Sequence, residues 1–139
     1  MTKQGKELEA KVISANEKVD VALLEVSDKG LHPCPVANSD LASVGDEVFA
    51  IGAPSGDALS FSVTKGIVSS LREGGNGTRY IQTDAAINHG NSGGPLVNSK
   101  GEITSLVTWK IVGNGSEGLG FCVAINDALR AARTAFKPR

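Results

Sequence analysis

Apolar residues along this chain come in short runs separated by glycine, asparagine and charge, and only the final stretch changes period. The runs fall at about 8–14, 19–26, 47–52, 59–71, 78–83, 95–99, 102–109 and 119–124, short stretches between turn signals that predict strands. Turn chemistry marks the breaks. Arg72-Glu73-Gly74-Gly75-Asn76-Gly77 and Ser99-Lys100-Gly101 offer residues that accept positive φ with little steric strain, as hairpin connections require. Beyond residue 125 the apolar positions shift to helical spacing. Asn126 suits an N-cap, Asp127 the first turn and the arginines the later ones, while Leu129, Ala132 and Phe136 form the packing stripe and Pro138 ends it.

Composition alters this picture mainly by exclusion. The chain has 139 residues, enough for one domain with a core. A net charge of -1 with both signs interspersed leaves no electrostatic footprint for nucleic acid or an anionic membrane. No apolar run approaches membrane-spanning length, and the first six residues lack the apolar core of a signal peptide. Met1 as a native start and Met1 as a cut within a longer chain both stay open. Cys34 sits among prolines in a segment that reads as a connector and Cys122 in a strand that reads as buried, so a small buried thiol is expected at 122 rather than a bridge. His32, Cys34 and Cys122 lack a fourth ligand and a recognised metal spacing, so neither a metal nor any other cofactor is expected.

Chemistry enters with Gly90-Asn91-Ser92-Gly93-Gly94-Pro95. A serine hydroxyl attacks a carbonyl only when a base removes its proton and amide donors meet the oxyanion that develops. A tight glycine-rich turn can supply those donors from the backbone of Gly90 and Ser92, with Gly93 and Gly94 keeping the space behind the serine clear. The same composition also suits a plain hairpin turn. The longer run Ile81 to Val97 decides between them, because it closely resembles the active-serine loop of the HtrA/Deg family of chymotrypsin-fold serine endopeptidases. Further segments resemble that family in the same order: Val19-Asp20-Val21-Ala22-Leu23-Leu24, Gly45 to Gly56, Val63-Thr64-Lys65-Gly66-Ile67-Val68-Ser69 and Gly118 to Ile125. The resemblance covers roughly residues 8–129.

What the resemblance implies is an all-β, chymotrypsin-like fold of two six-stranded barrels. Residues 1–36 would be a remnant hairpin of the first barrel plus the connector, and 37–139 a complete second barrel with the C-terminal helix. Ser92 would be the nucleophile, Gly90 and Ser92 the oxyanion hole, and Asp20 the acid that orients the base. The same resemblance implies a substrate cleft with Ala85 or Ala86 at the pocket base, Leu106, Val107 and Thr108 along its wall and His89 at its rim. The 112–118 loop would border that pocket, or be a plain surface loop. Substrates would be polypeptides, and the compartment extracytoplasmic or organellar.

One element of this chemistry is missing. The family's triad histidine lies N-terminal to the aspartate, and no histidine precedes Asp20 here. His32 reads as a surface residue of the connector, and His89 is too closely tethered to Ser92 to serve as base while Asp20 holds its other nitrogen. Two expectations follow. Either the chain is the C-terminal portion of a serine endopeptidase, inactive alone, or it is a non-catalytic peptide-binding module that kept the serine loop. An orphan hairpin would in either case expose edges and apolar surface, favouring homo-oligomers.

Overall fold

The computed structural model describes residues 7–28, 30–52, 61–88, 90–108 and 119–134. Of the positions singled out above, the first six residues, Ala53 to Gly56, His89, the 112–118 loop, Phe136 and Pro138 lie outside these. Strands form where the apolar runs predict them: β1 (Ala10–Asn16), β2 (Val21–Val26), β3 (Glu47–Gly52), β4 (Ser62–Glu73), β5 (Arg79–Thr83), β6 (Pro95–Asn98), β7 (Ile103–Thr108) and β8 (Gly120–Ala124), followed by helix α1 (Ile125–Thr134). The last six strands close a barrel in the order β3-β4-β5-β8-β7-β6, every neighbouring pair antiparallel. β1 and β2 pair only with each other, with a bulge between Val12 and Ser14. The fold is thus all-β and barrel-based, as expected.

Strict alternation along β3 shows why the barrel closes. Val48 and Ala50 point inward and are buried, whereas Glu47 and Phe49 face out, where Lys65 of β4 pairs with Glu47 at 2.5 Å and lies 5.7 Å from the Phe49 ring. The interior is filled by Val48, Ala50, Val68, Ile81, Ala85, Leu96, Val107 and Cys122. Small and β-branched side chains suit a six-stranded barrel, whose narrow interior is filled by side chains alone. Burial pushes the Cys122 thiol up to about 12, with the neighbouring Ser105 hydroxyl acting weakly the other way. Both cysteines are free, Cys34 exposed and Cys122 buried.

The connector is pinned to the barrel largely through backbone, with the Cys34 thiol adding a weak donation to Gly101 O at 3.5 Å. Val36 forms a parallel bridge with Ile103, the Ile103 N–H donating to Pro35 O at 2.8 Å and the Ala37 N–H to Ile103 O at 2.9 Å. This uses the part of β7 that the shorter β8 leaves unpaired.

Helix α1 departs from the sequence expectation in its cap and in its face. It begins at Ile125, so Asn126 is already inside the first turn, and the Asn126 N–H donates to Ser39 Oγ at 3.1 Å from a 3-10 turn at Ser39–Leu41. The cap comes from a distant segment, which no local pattern could announce. The inward stripe is Ile125, Ala128, Ala131 and Ala132, whereas Leu129 is 38% exposed. Asp127 sets this rotation. Its side chain, only 5% exposed, accepts from Arg79 Nε at 2.9 Å and from the Arg79 N–H at 3.3 Å. Arg79 also pairs with Asp40 within the 3-10 turn, and that hydrogen bond, then one from Asn126, holds the Asp40 carboxyl below its usual range. An acid chosen by the helix N-terminus thereby pulls its own face inward.

The two leucines separate the barrel core from the helix surface. Leu96→Ala, at a fully buried site, should cost about 2–5 kcal/mol, and Leu129→Ala less than about 1 kcal/mol. Urea denaturation of the two variants checks this, and comparable losses would refute the observed rotation of α1.

Candidate functional site

The serine turn lies between the end of β5 and the start of β6, at the barrel rim where β3 and β7 also end. Its shape is fixed by backbone hydrogen bonds: the Asn91 N–H donates to Asn88 O at 2.9 Å and the Gly94 N–H to Asn91 O at 2.8 Å. Gly93 takes φ +80, a conformation in which a side chain would be strained. Two bonds then stitch the turn to β7, the Gly93 N–H donating to Val107 O at 2.8 Å and the Val107 N–H to Gly94 O at 2.9 Å. Neither the Gly90 nor the Ser92 N–H has a carbonyl partner among the described residues. Ser92 itself is exposed at the turn's outer surface.

Beneath the serine, Asn91 is buried and its Nδ2 donates to Ala86 O at 3.1 Å. The same carbonyl accepts from Thr64 Oγ1 at 2.8 Å, and Asp84 Oδ1 accepts from the Ile67 N–H at 2.7 Å. The 84–88 segment is therefore strapped to β4 before the chain enters the turn. Gly52 completes the seat, since a Cβ there would overlap the Asn91 carboxamide and come within 2.8 Å of Gly90 O. Asn91, Asp84, Thr64 and Gly52 were not among the expected site residues. A polar side chain enclosed by glycines, as Asn91 is, was the available signal.

Asp20 comes from the other sheet. It closes the β1–β2 turn at φ 61, left-handed backbone that aspartate tolerates better than most residues. Thr108 Oγ1 donates to Asp20 Oδ2 at 3.1 Å. Val107 and Thr108, consecutive on β7, therefore hold the serine turn and Asp20 respectively. Tyr80 is close enough that its phenol is raised above its ordinary value by burial first and by the Asp20 charge second.

The residues expected to line a substrate cleft separate into groups. Ala85 and Val107 are packed in the barrel core, and Leu106 is half-buried against the apolar cluster under α1. Ala86 is exposed, its carbonyl engaged as described, and Thr108 serves Asp20. His89 lies outside the described residues. His32 is exposed in the connector and makes no hydrogen bond to Ser92 or Asp20. Among the described residues no His, Cys, Asp and Glu side chains cluster in a way that could hold a metal ion, and no helix is long and apolar enough to cross a membrane.

Comparison with known proteins finds serine proteases. The model of the trypsin-like peptidase domain matches residues 1–106. A probable periplasmic serine endoprotease, DegP-like, of Buchnera aphidicola is 45% identical over 124 residues, 85% of this chain and 26% of the relative. The serine protease Do-like HtrA of Bacillus subtilis is 44% identical over 135 residues, 88% of this chain and 29% of the relative. Among solved structures, the HtrA-type protease AlgW with a decapeptide superposes with a TM-score of 0.82 at 34% identity, covering 95% of this chain and 42% of that one. The chain thus spans between a quarter and a third of these two curated relatives.

The close seat at Gly52 is testable in the chain itself. Gly52→Ala should displace Asn91, so that amide hydrogen exchange at Gly93 and Gly94 speeds by at least about tenfold, a loss of about 1.4 kcal/mol of local protection. Gly75→Ala, where a Cβ meets nothing within 4 Å, should leave exchange unchanged. Equal exchange in both variants would show that Gly52 does not support the turn.

Proposed function

The chain belongs to the trypsin-like serine peptidases of the HtrA/DegP kind, and from that membership we propose that it is the C-terminal part of the catalytic unit of a serine endopeptidase. The observation that carries this reading is the pair of adjacent β7 residues. Val107 holds a serine turn whose Gly90 and Ser92 amides are without carbonyl partners among the described residues, and Thr108 holds the Asp20 carboxylate. A binding module would need neither.

In this mechanism Ser92 Oγ attacks the scissile carbonyl and the Gly90 and Ser92 amides receive the oxyanion. Asp20 orients a histidine and stabilises its protonated form. That histidine comes from outside this sequence, in keeping with the larger size of the relatives and the absence of any histidine before Asp20. Polypeptides are the substrates. Relatives named as periplasmic support an extracytoplasmic site of action. Ala86, exposed just ahead of the serine turn, brings no charge to the cleft, which favours small or medium aliphatic residues at the cleaved bond, because an unpaired charge buried there would be costly.

Turnover tests the reading. The purified chain should not hydrolyse casein above background, whereas the complete protein should, with Ser92→Ala lowering kcat by on the order of 10^6. Peptide profiling of the complete protein should return an aliphatic leading residue. A complete protein without Ser92-dependent turnover would leave the peptide-binding reading in its place.

The hairpin generates a separate expectation. Val12, Leu23, Leu24 and Val26 are exposed on β1 and β2, and in a complete first barrel further strands would cover them. The chain alone should therefore self-associate through this surface. Sedimentation should show species larger than a monomer, and Leu24→Lys should reduce them. A clean monomer at all concentrations would argue against this.

A further inference from the structure

Asp20 sits on a turn that has little to hold it within its own sheet. β1 and β2 form an isolated two-stranded ribbon, most of whose side chains are exposed, and such ribbons are marginal on their own. Yet the Asp20 carboxylate meets Thr108 of a different sheet in hydrogen-bond geometry. Something outside the ribbon must fix the turn.

Two features do so. Asn16 Oδ1 accepts from the N–H groups of Lys18 at 3.1 Å and Val19 at 3.3 Å, which folds residues 16–19 into a compact side-chain-capped turn. That turn drives Val19 into an apolar socket. Val19 is 7% exposed and packs with Val123, Ile125, Ala128 and Ala131, so three of its partners belong to α1 and one to β8. Higher on the ribbon, Ser14 Oγ donates to Ala132 O of α1 at 2.6 Å in a buried contact. The helix is in turn tied down at its first turn, Asp127 accepting from Arg79 of β5 and the Asn126 N–H donating to Ser39.

We infer that α1 is the seat of the Asp20 turn and that Val19, plugged into it, is a positioning residue for the acid. The inference rests on the reading of Asp20 as the triad carboxylate. Val19 belongs to the apolar cluster under α1, separate from the barrel core that contains Val107. Its effect passes through one peptide unit, since Asp20 is the next residue and its left-handed backbone turns directly out of the buried plug. Loss of the plug lets the turn rock on the ribbon, and the carboxylate then leaves Thr108. The small side chains of α1 suit this role, because Ala128 and Ala131 let a branched residue such as Val19 pack close to the helix.

The test is a mutant cycle in the complete protease. Val19→Ala should lower kcat by about 10–100-fold with KM changed less than about twofold, as expected for a misplaced catalytic group. Val19→Ile should restore at least half the activity. In an Asp20→Asn background the Val19→Ala effect should shrink to within about threefold, because the two changes then act on one function. Ser14→Ala, which keeps the socket filled and removes only the bond to Ala132, should show a smaller loss of the same kind. An equal Val19→Ala loss in both backgrounds, or a fall in thermal stability with kcat intact, would overturn the inference while leaving Asp20 as the acid. An Asp20→Asn variant with full activity would overturn the reading of Asp20 and the inference with it.

Discussion

Val107 and Thr108 are the point on which the rest of this structure depends. A β-strand presents backbone groups in its plane and side chains to alternate faces, so two adjacent residues can serve different masters. The backbone of Val107 engages Gly93 and Gly94 while its side chain fills the barrel core. Thr108, facing the other way, reaches Asp20 on the separate ribbon. Because both attachments share one strand, β7 anchors the serine turn and Asp20 alike, while the Asp20 turn also rests on α1 through Val19. The closed ladder behind them, with β7 paired on both sides, gives that strand little freedom to shift.

Most of the fold was legible along the chain because barrel strands advertise themselves through alternation and through glycine-bounded turns. β3 is the clearest case, its predicted and observed ends being the same. The serine turn was legible for a different reason: Gly93 needs positive φ, and the run from Ile81 to Val97 around it resembles the active-serine loop of the HtrA/Deg family.

What escaped the sequence depends on partners far along the chain. The cap of α1 is Ser39, well over eighty residues upstream. The helix face turned because Asp127 found Arg79, and a helical wheel built on apolar residues alone chooses Leu129 instead. Thr108, counted among cleft residues, spends its hydroxyl on Asp20. In each instance a polar side chain met a long-range partner, and hydrophobic period carries no record of such meetings. Asn91 was overlooked for a related reason: it looks like turn filler until its buried amide is seen to bond the Ala86 carbonyl.

The order in which the barrel is stitched has a consequence for the life history of the molecule. β6, which follows Ser92, pairs with β3, whose residues were laid down more than forty positions earlier, and the turn also needs β7, which comes later still. Loop-closure entropy makes such distant pairing slow and late. During vectorial synthesis, β7 must therefore have been made before the serine turn can take its final shape. The serine turn thus takes its final shape only where three strands made far apart along the chain, β3, β6 and β7, have already met.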